Sequence, residues 1–427
     1  MVALTPSKAL VRRILHRNFI HRTVPLRPGR PESRTVRSRS PGPVAPTRSG
    51  AGLRTAFRAL RGPVDWLPPG GGRRRSELRR GRSVEAGEPG QRVSIRQVAE
   101  AAGVSMSTVS NVLNNPHRVA AGTRQRVGTA MERVGYVRNG AARQLRGAPS
   151  SVVGCVVLDT ANAYYSEVAR GVEDRLVEAG CMLVQCSSDA RATRESRFLR
   201  LLEEQGVRGV LVSPAGPQLG PYVRLSRRGT PVVLLDHPRD GADLCAVTVD
   251  NIAGGELAAW HLIGLGHRRI VFLRAALPSR SISDRTAGIY RAVRAAGLTP
   301  SETVTEIPAD PPSAIGSMRT AVARLLALPR RPTAVICFND AAALGAIREL
   351  RRSGVAVPGD MSVTGYDDVE FAAELSPGLT TVRQPKYDAG HAAAELLLAE
   401  GEPDHRHRER LFRPELVRRG STGPPSR

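Results

Sequence analysis

The 427-residue chain is poor in lysine and aromatic residues and has no long apolar run. Its apolar stretches are of strand length, such as VVGCVVL at 152–158, against the ~18 to 20 apolar residues a membrane helix needs. A soluble chain with no membrane partner is expected. The five cysteines, Cys155, Cys181, Cys186, Cys245 and Cys337, show neither CxxC nor a paired-histidine spacing. Most lie in apolar runs and read as small buried hydrophobes in a reducing compartment. No metal site and no cofactor is expected. GxSxG and P-loop signatures are absent too, which removes two common marks of α/β enzymes.

Lys8 and Lys386 are the only lysines, so the 63 basic residues are almost all arginine. A GC-rich coding sequence produces that skew, and single arginines therefore carry little weight. The net charge of +24 is uneven. Residues 1–90 hold 20 Lys/Arg against 5 Asp/Glu, and the rest of the chain holds 43 against 34. Residues 1–90 are rich in Arg, Pro, Gly and Ser and lack periodicity, so they cannot bury enough apolar surface to offset their ordering entropy. Three readings compete for them: a disordered basic arm that strengthens non-specific DNA binding, a targeting peptide, or a start codon assigned too far upstream. The targeting reading lacks an apolar core and a cleavage site, and the upstream start is preferred.

Organised sequence begins at VSIRQVAEAAGVSMSTVSNVLNN, Val93 to Asn115. Ile95, Val98, Ala99 and Ala102 follow the spacing of a helix with one buried face. Ser94 and Gln97 form a capping-box pattern, and Gly103 stands where a left-handed cap would end the helix. Ser105 then caps a second helix with Val109, Val112 and Leu113 inward. Two short helices joined by a tight glycine turn make a helix-turn-helix, whose second helix enters the DNA major groove. Met106, Ser107, Ser110 and Asn111 face outward. A third helix is expected over 123–134, stopped by Gly135, and a short Ala/Arg-rich helix over 135–147, followed by a linker.

From Ser151 the texture changes. Apolar strand-like runs at 152–158, 181–186, 208–212, 231–235, 269–273, 333–337 and 361–364 alternate with amphipathic helices at 165–179, 192–205, 252–264, 284–296 and 340–353. That alternation predicts parallel sheets covered on both faces. The length favours two doubly wound α/β lobes with a cleft at the carboxyl ends of the strands. RLFRPELVRRGST at 410–422 reads as the last strand.

At this point the chain resembles the LacI/GalR family of transcriptional regulators, from about Val93 to Thr422. The head stands as VSIRQVAEAAGVSMSTVSNVLNN…TRQRVGTAMERVGYVRNGAARQLR. The body carries LLDHP (234–238), TVDN (248–251), LGHRRI (265–270), DRTAGIY (284–290), CFNDAAALGAIREL (337–350), VPGDMSVTGYDD (357–368) and LTTVRQP (379–385). The resemblance implies an N-terminal all-α head with a hinge helix (93–148), then a periplasmic-binding-protein-like body of two lobes (151–422) and a short tail (423–427). It also implies a homodimer on a near-palindromic double-stranded operator, a repressor role, and residence in the bacterial cytoplasm at the nucleoid. No terminal heptad helix remains for tetramers.

By resemblance, Met106, Ser107 and Asn111 face base edges, Thr108 and Ser110 lie nearer the phosphates, Ser105 belongs to the same DNA-binding set, and Asn139 opens the hinge. Asn pairs bidentately with adenine, and Met can touch a thymine methyl. Leu145 takes the position of the hinge leucine that wedges into a base step. Two departures stand out: Arg138 where the family usually has Pro, and Gly140, which weakens a short helix by about 1 kcal/mol. Asn111 also replaces a residue that is often Arg or His, which points to a somewhat different operator.

For a small effector, the resemblance marks Asn162, Tyr164, Tyr165, Asp236, Asp250, Arg285, Asn339, Asp367 and Lys386. Carboxylates, amides and a guanidinium fit polyol recognition, so a sugar is the first expectation and a purine or nucleoside the alternative. Lys386 admits an anionic effector such as a sugar phosphate. A transporter's solute-binding protein would need a signal peptide and no head. An enzyme would need base–nucleophile spacing that the separate loops of Asp236, Asp250 and Asp367 do not offer. Intact-mass measurement of the natural product is expected to place its first residue near 90; a mass that includes residues 1–90 overturns the upstream-start reading.

Overall fold

The computed structural model describes residues 93–140, 144, 147–276, 279–309, 318–402 and 404–426. The stretch 1–90 and Leu145 lie outside the described residues. The head is built as its caps dictate. Helix α1 (Ile95–Ala102) opens on the Ser94–Gln97 box, in which Gln97 N donates to Ser94 Oγ and Ser94 N donates to Gln97 Oε1 at 2.8 Å. It closes on Gly103 at φ 63°, with Val104 N donating back to the Ala99 carbonyl at 3.0 Å, a pairing that satisfies otherwise orphaned carbonyls. Helix α2 (Met106–Asn114) is capped by Ser105. Helix α3 (Ala121–Val134) begins two residues earlier than its apolar pattern, because the Ala120 carbonyl already accepts from Thr123 N and Arg124 N. Val98, Ala99, Val109, Val127 and Ala130 close a small core between the three. Of the short fourth helix, Gly140 and Gln144 are helical.

The body holds two parallel sheets. The first has the order β11-β5-β4-β3-β1-β2, from β1 (Val152–Val157), β2 (Met182–Ser187), β3 (Gly209–Val212), β4 (Val232–Leu235), β5 (Cys245–Val249) and β11 (Glu409–Phe412). The second has the order β7-β6-β8-β9, from β6 (Ile270–Ala275), β7 (Val304–Ala309), β8 (Ala334–Cys337) and β9 (Ser362–Thr364). In both, the first strand sits between its second and third, a doubly wound order whose reversal point marks a ligand crevice. The chain crosses between the lobes three times: after β5, between β10 (Thr381–Arg383) and α11 (Lys386–Ala399), and between β11 and β12 (Glu415–Val417). The single strand expected over 410–422 is therefore two. Pro414 lacks the N–H a continuous ladder needs, and the chain changes partner there, from parallel pairing with β5 to antiparallel pairing with β10.

Other helices are α4 (Ala163–Glu178), α5 (Ala192–Glu204), α6 (Gly220–Arg227), α7 (Asn251–Gly264), α8 (Arg280–Ala295), α9 (Met318–Leu326) and α10 (Asp340–Arg352). Among the described residues, each lobe has a helix pair at backbone contact. A Cβ on Gly171 of α4 would meet the Tyr387 carbonyl at 2.1 Å, and one on Gly390 of α11 the Val168 carbonyl at 2.0 Å. In the second lobe, a Cβ on Gly255 of α7 would meet the Arg285 carbonyl at 2.1 Å, and one on Gly288 of α8 the Ile252 carbonyl at 2.0 Å. These contacts set how close α7 and α8 come, and hence where Arg285 stands. Gly255→Ala is expected to lower stability by about 1–3 kcal/mol through overpacking. Gly264→Ala, in the same helix with open space at its Cβ, should be neutral or stabilising by up to ~1 kcal/mol. Thermal melts of the two variants check this; equal effects would remove the close-contact argument.

Candidate functional site

Two surfaces carry chemistry: the exposed face of α2 and the cleft between the lobes. On α2, Met106 is 57% exposed, and Ser107 and Asn111 are exposed beside it. The Ser105 hydroxyl caps the helix by accepting from Thr108 N at 3.1 Å and lies 2.7 Å from Ser107 Oγ and 2.8 Å from Thr108 Oγ1. Its first task is therefore to shape the helix start. Ser110 Oγ accepts from Asn114 Nδ2 at 3.2 Å, and Asn114 Oδ1 accepts from Arg138. That chain of bonds joins the recognition helix to the segment that carries Asn139, which is exposed. Arg138 thus makes a polar contact that proline could not make.

The cleft lies at the carboxyl ends of the strands and offers a cavity of about 90 Å³. Asn162, Tyr164, Tyr165, Asp236, Arg285, Asn339 and Asp367 all line it. Asn162 and Asn339 are the N-caps of α4 and α10. Their Oδ1 atoms accept from Tyr164 N at 3.0 Å and Ala342 N at 2.8 Å, so what each can offer a ligand is its Nδ2 donor. Tyr164 and Tyr165 meet edge to face, ring centres 5.0 Å apart, and both are buried. Asp236, directly after β4, and Asp367, three residues after β9, have positive φ, 52° and 108°, a rare backbone state that Asp tolerates better than most residues and that clusters at ligand sites.

Arg285 is 7% exposed. Its Nε donates to Asn251 Oδ1 at 2.9 Å, its Nη1 to the Phe338 carbonyl at 2.6 Å, and its guanidinium lies 3.5 Å from the centre of the Tyr366 ring. Asn251 Nδ2 in turn donates to Asp236 Oδ1 at 3.2 Å.

Two expected residues stand outside this lining. Asp250 turns its Oδ1 to Ala253 N at 2.9 Å as the N-cap of α7; the crossover residue that reaches the site network is its neighbour Asn251. Lys386 is buried, but its Nζ donates to the carbonyls of Asp367 (2.7 Å) and Asp368 (2.8 Å) and pairs with Glu167 at 3.3 Å. Its charge is already used, which removes the reason to expect an anionic effector.

The cleft also gains residues that the sequence reading passed over. Asp159, Phe338 and Gln384 line it. Asp159 Oδ2 and Gln384 Oε1 are buried acceptors without a hydrogen-bond partner, and such groups are costly unless something donates to them. Phe338 and Gln384 lie inside motifs quoted above and Asp159 directly follows VVGCVVL; the missing signal was which residue turns inward.

Burial lifts the Asp367 carboxyl to about 6, against the opposing pull of Arg285, the Gln384 amide and Lys386. Asp236 is also raised by burial and held down by Arg285 and Asn251. A carboxyl raised on folding takes up a proton between its unfolded value of 3.8 and its folded value. Its stabilising effect is full below the lower value and is lost as pH rises through the upper one. The melting temperature of ligand-free Asp367→Asn, minus that of the unchanged protein, should therefore grow by a few degrees from about pH 4 to about pH 7. A flat difference in thermal melts would contradict this.

Comparison with known proteins agrees with both surfaces. Residues 94–139 match the family described as "Bacterial regulatory proteins, lacI family", and residues 259–422 match "Periplasmic binding protein-like domain". The HTH-type transcriptional repressor PurR of Aliivibrio salmonicida (strain LFI1238) is 35% identical over 333 residues, spanning 77% of this chain and 98% of that protein. Among solved structures, a lac repressor dimer bound to operator and the anti-inducer ONPF is 28% identical with a TM-score of 0.68, covering 78% of this chain and all of that one. A LacI family regulator from Enterococcus faecium with bound ribose is 27% identical with a TM-score of 0.59, covering 64% of this chain and all of that one.

Proposed function

The chain belongs to the LacI family of bacterial regulatory proteins, and from that premise we propose how its two surfaces work together. It is a DNA-binding repressor whose operator affinity is set by a small effector held between the lobes, and it acts as a homodimer. It acts by binding rather than catalysis, in the bacterial cytoplasm at the nucleoid. Met106, Ser107 and Asn111 read base edges. Ser105, Thr108, Ser110 and Asn139 order the helix and the backbone contacts around it. Leu145 wedges into a central step.

Asn162, Tyr164, Tyr165, Asp236, Arg285, Asn339 and Asp367 hold the effector, joined by Asp159 and Gln384. The observation that carries the effector class is the pair of partnerless buried acceptors, Asp159 Oδ2 and Gln384 Oε1, in a cleft with carboxylates at Asp236 and Asp367. Such a lining receives a neutral ligand rich in O–H or N–H donors, as a sugar is. A purine is the second reading. The PurR name of the relatives favours it, as do the rings of Tyr164, Tyr165 and Phe338 in the cleft, on which a base could stack.

Fluorescence anisotropy with DNA from upstream of the gene is the test. Asn111→Ala should cost about 1–3 kcal/mol of specific affinity while leaving the salt dependence unchanged. A thermal-shift panel of sugars, sugar phosphates and nucleobases should raise the melting temperature only with neutral donors. Arg285→Ala should keep DNA binding and lose the ligand response. Failure to prefer upstream DNA over competitor sinks the DNA-reading assignment, and a sugar phosphate as the best ligand sinks the effector class.

A further inference from the structure

Away from the cleft, at the outer edge of the first lobe, Cys245, Glu400, His405 and His407 bring their ligand atoms within 4.8 Å of one another. We infer that these four side chains form a closed site for a divalent transition metal, zinc by class. Cys245 Sγ lies 3.3 Å from His405 Nε2; Glu400 Oε1 lies 3.3 Å from that nitrogen and 3.2 Å from His407 Nδ1. Four ligands placed tetrahedrally around zinc at its usual bond lengths stand about 3.3–3.6 Å apart; the three separations just given already stand near that spacing, and the others, within 4.8 Å, would close on an ion.

Donor chemistry narrows the metal. A thiolate with two imidazoles selects zinc and its transition-metal neighbours over magnesium or calcium, which take oxygen. Four protein ligands leave no open position, the mark of a structural site. Charge balance points the same way. Cys245 is fully buried, and the Glu400 side chain is 6% exposed. A thiolate and a carboxylate buried together are costly, whereas a dication between them makes the set neutral.

The surroundings orient the ligands as metal sites require. His407 presents Nδ1 to the cluster while its Nε2 stands 3.5 Å from Asp243 Oδ1, the carboxylate–histidine arrangement that fixes a ring for its metal. Arg408 N donates to Cys245 Sγ at 3.5 Å, and Arg239 Nη1 donates to the His407 carbonyl at 2.7 Å. The bound ion would tie the end of α11 and the connector after it to the start of β5. It would thereby hold edge strand β11 on the sheet just before the third lobe crossing. Cys245 and His405 are 160 residues apart in sequence, so cysteine spacing alone could not reveal the site.

The test uses the full chain without an affinity tag, stripped by a chelator and then titrated with Zn²⁺ or Co²⁺ alone. A single equivalent of zinc per chain should bind and raise the melting temperature. Cobalt should give the visible absorption of tetrahedral coordination with a thiolate-to-metal charge-transfer band. Cys245→Ser should abolish that band, and His407→Gln, at a partly exposed position, should prevent stoichiometric uptake while leaving DNA binding intact. Asp243→Asn should weaken uptake by about 10- to 100-fold. No stoichiometric uptake, octahedral cobalt without the thiolate band, or uptake unchanged in both ligand variants would overturn the site and leave a hydrogen-bonded cluster.

Discussion

A guanidinium held out of water fixes the geometry of the cleft. Arg285 remains charged at 7% exposure because Asn251 Oδ1, the Phe338 carbonyl and the face of Tyr366 answer it on three sides. Losing one of these would leave a buried charge undercompensated, which costs several kcal/mol. Asn251 is the joint of this network. It stands at the first lobe crossing and donates to Asp236 and the Val249 carbonyl in the first lobe, while its own oxygen accepts from Arg285 and from Tyr366 OH at 3.2 Å. The glycines of α7 make room for it. A Cβ on Gly254 would meet Tyr366 Oη at 2.0 Å, and one on Gly255 the Arg285 backbone.

That network gives the proposed effector something to act on. Asp159, Asn162 and Asp236 belong to the first lobe, whereas Arg285, Asn339 and Asp367 belong to the second. A molecule that touches both groups favours whichever lobe arrangement brings its partners together, and ligand control requires no more than that difference in affinity. The contacts on the side of the head are polar. Gln144 Nε2 donates to the Gly206 carbonyl at 2.9 Å, just beyond the end of α5. Arg138, Asn114 and Ser110 then link the hinge entry to α2. The family's proline would stiffen that entry by fixing a backbone angle; here a side-chain bond to the recognition helix does the connecting.

Much of this was legible in the sequence because it rests on local rules. The Ser94–Gln97 box and the stops at Gly103 and Gly135 depend on residues within a few positions of each other, and all three stand as read. Gly180, Gly206, Gly297 and Gly354 all take the positive φ expected just past a helix end. What escaped depends on long-range placement. The β5 run CAVTV is short and carries a threonine; its place between β4 and β11, buried throughout, comes from long-range pairing rather than from its own pattern. Pro414 splits an apparently continuous strand between two sheets. Asp250 and Asn251 are adjacent and equally polar; only the cap geometry of α7 decides which one reaches Arg285.

Lys386 shows how a single such placement changes the chemistry. In sequence it is an isolated cation beside a motif that borders the cleft, an invitation to an anion. In the fold it spends that charge on two backbone carbonyls and Glu167. The cleft is then left with Asp159, Asp236 and Asp367 against Arg285, a surplus of carboxylate. An incoming phosphate would meet that surplus with no unspent cation to offset its own desolvation. A neutral donor meets the opposite situation, because Asp159 Oδ2 and Gln384 Oε1 lack partners before it arrives. Donors on such a ligand can pair with both. The proposed selectivity for neutral, donor-rich molecules thus rests on where one lysine is anchored as much as on the groups that would touch the ligand.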